Sequence, residues 1–115
     1  MKKYIVYKTT NLVNNKIYIG VHKAKGEDKF GGYYGCGVNI NFPASYKNPK
    51  TLFQKAIVKY GFDNFKREIL HVFNTAEEAY SKEKELVNID FINLDTNYNM
   101  VVGGCGGNVS REVYQ

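Results

Sequence analysis

Arginine is nearly missing from this chain of 115 residues: all but two of its 16 Lys and Arg residues are lysine, Arg67 and Arg111 being the exceptions. Lysine presents a point charge, whereas bidentate reading of guanine edges favours the planar guanidinium fork. The formal net charge of +5 and the pI near 9.1 therefore describe a field that attracts polyanions more than a surface that reads bases. Nucleic acid or an anionic membrane surface would both answer that charge. Cysteine is scarce as well. Cys36 and Cys105 are too few for a disulfide framework and fit a reducing, cytoplasmic setting. With His22 and His71 they could number a zinc set, but no C-x-x-C or H-x-x-x-H spacing joins them, which argues against one. Sustained apolar runs are also lacking. The opening Met1-Lys2-Lys3-Tyr4-Ile5-Val6-Tyr7 turns polar by Lys8-Thr9-Thr10, so neither a signal peptide nor a membrane span is expected.

What the chain does hold is 43% hydrophobic and 15% aromatic residues, enough for one folded domain with a single modest core. Two β-rich runs, Tyr4-Ile5-Val6-Tyr7 and Ile17-Tyr18-Ile19, flank the turn-prone Asn11-Leu12-Val13-Asn14-Asn15 and predict a hairpin. In the second run Ile17, Ile19 and Val21 alternate with Tyr18, Gly20 and His22, which places the latter three on one face. In the first run Tyr7 shares its face with Ile5 and Thr9. Residues 23–49 lose this pattern in favour of glycine, aromatic and asparagine residues, an ordered but irregular excursion of the kind that often carries function.

Thr51 is placed as the N-cap of a helix whose apolar stripe is Leu52, Phe53, Ala56, Ile57 and Tyr60, with Gly61 to end it. Phe65 to Phe73 reads as a strand. Its second half, Ile69-Leu70-His71-Val72-Phe73, is apolar on both faces, so helices are expected on both sides and His71 is expected to be a core histidine. Thr75-Ala76-Glu77-Glu78 forms a capping box. On the helix it opens, Ala76, Ala79, Tyr80, Leu86 and Val87 line one stripe, and Glu83 falls in the middle of it. Glu77, Glu78, Lys82, Lys84 and Glu85 lie off the stripe, where solvated charges belong. A carboxylate on a buried face needs a partner. A nearby lysine would serve, and so would a divalent cation. One carboxylate is too few for a protein cage but suits Mg²⁺, which keeps several waters and completes its shell with substrate phosphate.

These residues carry a resemblance. Ile5-Val6-Tyr7, a gap, and then Tyr18-Ile19-Gly20 resemble the two-part signature of the GIY-YIG nucleases. Lys59-Tyr60-Gly61, Asn64-Phe65 and Glu68-Ile69-Leu70 are similar to that family's middle helix and third strand. Glu83 with Leu86-Val87 resembles its metal-binding glutamate, and Tyr98-Asn99 its late asparagine. Two departures stand out. Tyr4 or Ile5 occupies the first glycine position, and the arginine usual after Tyr-Ile-Gly is replaced by a region holding Lys23, Lys25, Asp28 and Lys29. His22-Lys23 and Tyr33-Tyr34-Gly35-Cys36-Gly37 resemble instead a branch reading Tyr-Ile-Gly-x-His-Lys and then Tyr-Tyr-Gly-x-Gly.

The resemblance implies an α/β fold with a small three-stranded antiparallel sheet flanked by helices. It implies DNA as partner, Mg²⁺ or Mn²⁺ with no small-molecule cofactor beyond the metal, no membrane partner, and hydrolysis of phosphodiester bonds in a homing or mobile-element setting. A repair or restriction nuclease, or a non-catalytic DNA-binding module, is the alternative. Tyr7 would be general base or water-positioning group, Tyr18 its hydrogen-bonding support, Glu83 the metal ligand and Asn99 a brace. A tyrosine with a pKa near 10 is a poor base at neutral pH without a nearby cation. His22, on the Tyr18 face, is the first candidate for that cation; Lys23 and Lys29, which are also expected to bind DNA, follow, and Arg67 or a lysine of residues 31–49 comes after them. The resemblance covers roughly residues 3–107 and implies a nuclease domain over residues 1–107, with Gly103-Gly104-Cys105-Gly106-Gly107 as a flexible tie or linker. Residues 108–115 are similar to the opening of modular DNA-binding repeats, or are a simple tail.

Overall fold

The computed structural model describes residues 2–25 and 30–99; Lys29, the glycine-rich tie and the 108–115 segment lie outside them. Strand β1 (Lys2–Asn11) turns through Leu12 to Lys16 into β2 (Ile17–Lys25). The turn is closed by asparagines. Asn11 Oδ1 accepts from the Val13 amide at 2.9 Å, and Asn15 takes a left-handed φ of 63° that asparagine tolerates. A second strand pair follows, β3 (Tyr33–Gly35) with β4 (Val38–Asn39), inside the excursion that the sequence leaves irregular. Helix α1 (Leu52–Tyr60), strand β5 (Phe65–Phe73), helix α2 (Ala76–Leu86) and the short α3 (Ile89–Ile92) complete the order. β1 lies between β2 and β5, antiparallel to both, so the expected α/β fold with three antiparallel strands and flanking helices is what forms.

Strand parity divides the core. Val6 and Ile19 point to one face and pack with Ala79 of α2, Val87 at its C-cap and Ile92 of α3. Ile5, Tyr7, Thr9 and Tyr18 point to the other. There Ile5 and Tyr7 cluster with Ala24, while Phe53, Ala56 and Ile57 of α1 cluster with Phe65 and Tyr98. The faces differ in chemistry as well as position: the fully buried residues are aliphatic on the α2 side, while large aromatic rings dominate the other.

Four local expectations are corrected. The full capping box forms at α1, where the Thr51 side chain accepts from the Gln54 amide and the Gln54 side chain accepts from the Thr51 amide. At α2 the Thr75 hydroxyl donates to the Glu78 carboxylate at 2.9 Å in place of the second half of the box. Leu52 is 42% exposed, so the α1 stripe narrows to Phe53, Ala56 and Ile57. The second half of β5 is not covered on both sides: Ile69 is 38% and Val72 48% exposed. The reason is a bulge. Val6 pairs with His71 and Tyr7 with Ile69, leaving Leu70 unmatched, and the extra residue breaks the alternation. His71 is consequently half-buried on the α2 face, its ring stacked near Phe73 at 6.0 Å, rather than a core residue.

Candidate functional site

Tyr7 is the centre of the aromatic face. It is 1% exposed, stands beside the β5 bulge, and pairs across β1–β2 with Gly20. A Cβ at Gly20 would lie 2.6 Å from the Tyr7 hydroxyl and 2.9 Å from the ring carbon bearing it. The glycine of Tyr-Ile-Gly is thus the slot into which the Tyr7 ring fits. Gly35, at φ +130°, closes the slot from the excursion, since a Cβ there would lie 3.0 Å from both the Tyr7 hydroxyl and the Tyr18 ring. Glycine alone combines that backbone angle with that approach.

Around the slot the aromatic rings interlock. Phe30 and Tyr33 meet Tyr7 edge-on at 5.9 and 6.0 Å, favourable geometry for ring quadrupoles. The Tyr33 hydroxyl acts on that of Tyr7 and accepts from the Gly37 amide at 3.1 Å. Tyr18 lies 6.4 Å from Tyr7 and stacks on Phe53 of α1 at 4.7 Å. The Cys36 thiol acts on the Tyr18 hydroxyl and contacts Thr51 Oγ1 at 3.4 Å. His22 lies flat against Tyr33 at 4.5 Å and 11°. The excursion is anchored over this face by Thr9, whose hydroxyl donates to the Tyr34 carbonyl at 2.7 Å.

The electrostatics follow from burial. Desolvation first, then the neighbouring Tyr33 and Tyr18 hydroxyls and the Cys36 thiol, pushes the Tyr7 phenol well above its ordinary value. Tyr18 is pushed up as well, by burial first and then by Cys36, Tyr33 and the Glu83 carboxylate of α2. Both phenols are therefore neutral near pH 7 when only protein groups act on them. That state suits a water-positioning Tyr7 and not, unaided, a general base. Burial lowers the His22 pKa, so its neutral form is favoured and it is a poor source of the expected positive charge. Lys23 stands opposite Tyr4 on the α2 face, because β2 continues as far as Lys25.

Glu83 is half-buried on the α2 stripe, and its charge acts on the Tyr18 hydroxyl. The groups gathered here are chiefly oxygen donors, and no cluster of three or more His, Cys, Asp or Glu stands among the described residues. That donor set fits a hard cation that keeps most of its water. Asn99 does something different. Its Oδ1 accepts from the Ile19 amide at 3.0 Å and its Nδ2 donates to the Ile19 carbonyl at 2.8 Å. Just upstream, the Tyr98 amide donates to the Ile17 carbonyl at 2.7 Å. The side-chain amide of Asn99 thus continues a ladder along the free edge of β2, holding the backbone between Tyr18 and Gly20.

Sequence comparison meets this geometry with a consistent answer. Over 107 residues the chain is 43% identical to the segD protein of Enterobacteria phage T4, covering 93% of this chain and 41% of that one. It is 43% identical over 104 residues to segE of the same phage, covering 90% and 43%. The protein named Endonuclease segA, also from phage T4, is 41% identical over 107 residues, covering 92% and 42%. The chain is similar to the seg proteins of phage T4. It spans less than half the length of each. No family model matches it, and no solved structure matches it. Among the described residues no helix is long and apolar enough to cross a membrane.

The structure brings Tyr7, Tyr18 and His22 onto one face, with Glu83 acting on Tyr18 and Asn99 behind it; it does not bring Lys23 there. Sequence reasoning assigns no separate role to Tyr33 or Cys36, although both lie in the quoted Tyr-Tyr-Gly-x-Gly motif, and it holds Arg67 only in reserve as a source of the missing positive charge.

Proposed function

We propose that this chain is the catalytic domain of a GIY-YIG-type DNA endonuclease, dependent on one divalent cation and of the homing or mobile-element kind. The observation that carries the reading is the Tyr7 hydroxyl, seated in a slot that a Cβ at Gly20 would fill, beside a Tyr18 on which Glu83 acts. The names of the phage relatives support it, as does the positive charge of the chain.

In this reading Glu83 is the residue that would hold Mg²⁺ or Mn²⁺, which when bound would stabilise charge on the phosphate and the leaving oxygen. The chain's own groups do the rest. The neutral Tyr7 phenol holds the attacking water by a hydrogen bond. The water oxygen bonds to phosphorus and gives up a proton to solvent, the ester P–O bond breaks, and the leaving oxygen takes a proton back from solvent. One proton thus passes in net from the water to the leaving group. Tyr18 relays the field of Glu83 to the Tyr7 neighbourhood. Asn99 fixes the β2 backbone from which Tyr18 and Gly20 project. Burial of the slot restricts water to the position the phenols select. The lysines bring DNA to the site through phosphate contacts that carry little sequence preference.

A plasmid-nicking assay with Mg²⁺, with Mn²⁺ and with chelator tests the reading. Relaxation of supercoiled plasmid only with the metal, lost in Glu83→Gln, is the expected result. Metal-dependent DNA binding without any cutting, in a preparation that melts cooperatively, overturns it in favour of a binding module.

A further inference from the structure

We propose that Arg67 is a further catalytic residue of this site, its guanidinium contacting a non-bridging oxygen of the phosphodiester that is cut; the assignment rests on the nuclease reading above. Arg67 pairs with Thr9 across β1–β5 and so projects from the same sheet face as Tyr7. Its guanidinium carbon lies 4.1 Å from the centre of the Tyr34 ring and 5.0 Å from that of Phe30. Nη1 donates to the Tyr33 carbonyl at 3.0 Å. Phe30 and Tyr33 are also the residues that meet Tyr7 edge-on. The cation and the phenol therefore share the Phe30 ring as a wall, and both are tied to Tyr33, the cation through its carbonyl and the phenol through its ring.

The local charges make this arginine available. A guanidinium carries five N–H donors, and among the described residues the Tyr33 carbonyl takes one of them. Its neighbour on β5, Glu68, is directed elsewhere: it pairs with Lys8 at 3.8 Å on the opposite face of the sheet. Among the described residues no carboxylate forms an ion pair with Arg67. A partly buried cation held by ring faces and one carbonyl is stabilised without being neutralised. Such a group is pre-ordered for an anion, and the fork matches two oxygens of a phosphate. The burial that holds Tyr7 and Tyr18 neutral also strengthens any charge contact made beside them. The competing role is a pin that only holds the excursion against β5.

Single-turnover cleavage of plasmid by the full chain in Mg²⁺, at saturating enzyme, separates the two. Arg67→Lys keeps the charge and loses the fork. It should cut about 10²- to 10³-fold more slowly, in the range for removing one preorganised donor to a transition-state oxyanion, with DNA affinity and melting temperature near wild type. Arg67→Ala should recover part of its rate when guanidinium chloride is added at millimolar concentration, and none with potassium chloride. Arg67→Lys cutting near the wild-type rate overturns the assignment. So does an Arg67→Ala protein with lowered melting temperature and no response to guanidinium. If wild type does not cut, the nuclease reading fails and this assignment falls with it. If wild type cuts, Glu83→Gln does not, and Arg67→Lys does, only the assignment of Arg67 is lost.

Discussion

The two faces of the central sheet are built from the same strands by opposite rules. On the α2 side Val6 and Ile19 meet Ala79, Val87 and Ile92, aliphatic groups with no hydrogen-bonding demand. On the other side the alternate residues of the same strands are Tyr7, Tyr18 and His22, joined by Tyr33 and Arg67, with glycines at 20 and 35 where volume must be absent. One face is filled to exclude water; the other is shaped around hydroxyls that are held neutral. The difference suggests that stability and chemistry are separated by strand parity. A substitution on one face should change melting, and its neighbour in sequence should change rate.

The sharpest test of that separation is the residue that belongs to both regions. Glu83 sits on the aliphatic helix, yet its charge acts on Tyr18. Glu83→Gln should reduce cleavage by about 10³-fold or more, since a lost metal ligand removes several kcal/mol and each ~1.4 kcal/mol is tenfold. Gln is nearly the same size and keeps a hydrogen-bonding side chain, so the variant should still melt cooperatively, which separates lost chemistry from lost structure. A Glu83→Gln protein that cuts in Mg²⁺ at near wild-type rate breaks the comparison at its main joint.

Next in size is Tyr7→Phe. The ring contacts with Phe30, Tyr33 and Tyr18 persist while the hydroxyl goes. The stability change should be about 0.5–1.5 kcal/mol, as for one hydrogen bond, against a loss of ~10²- to 10⁴-fold in rate. Rate and melting temperature measured on one preparation decide it; a packing tyrosine would lose stability and keep its activity.

Parity was the part of this design legible in the sequence. Counting by two placed Tyr18, Gly20 and His22 together, and the Thr51 cap and Gly61 stop of α1 formed where their chemistry required. Counting failed where the backbone changed period. The bulge opposite Val6 and Tyr7 sends Leu70 and His71 to one side and leaves Ile69 and Val72 exposed on the other, and no residue in Ile69-Leu70-His71-Val72-Phe73 announces it. Non-local partners were hidden too. Tyr33 meets Tyr7 from 26 positions away in sequence, and Arg67 meets Tyr33 from 34 away; ring-on-ring packing leaves no local pattern to read. Glu83 was legible because a charge inside an apolar stripe violates a local rule.

A matched pair of small changes then compares the faces directly. Gly20→Ala puts a carbon 2.6 Å from the Tyr7 hydroxyl. It should cost about 1–3 kcal/mol of stability by overpacking and about 10²-fold in rate if the phenol moves by an ångström. Ile92→Val, fully buried on the other face, should cost about 0.5–1.5 kcal/mol and leave the rate of the folded protein unchanged. Equal rate losses in the two variants would show that the faces are not independent.

The smallest effect expected is a pH dependence from His22, and it sharpens the picture of the aromatic face. Burial lowers the His22 pKa below its ordinary 6.5, and the ring lies flat on Tyr33 with the neutral phenols beyond. In the window between the lowered folded pKa and 6.5, the unfolded chain binds more protons at this site than the folded one. Stability must therefore rise with pH through that window and be free of the penalty above it. The ring is only partly buried, so solvent screening keeps the effect to a modest drift in melting temperature. Wild type and His22→Asn compared from pH 5 to 7.5 should converge in slope above pH 7 and diverge below 6.5, wild type losing more on acidification. Cleavage at saturating DNA should be level above pH 7 and fall on acidification, because the neutral ring is the resident form. A ring-proton titration by NMR that places the His22 midpoint at or above 6.5 would reverse the sign of both trends and return His22 to the role of cation.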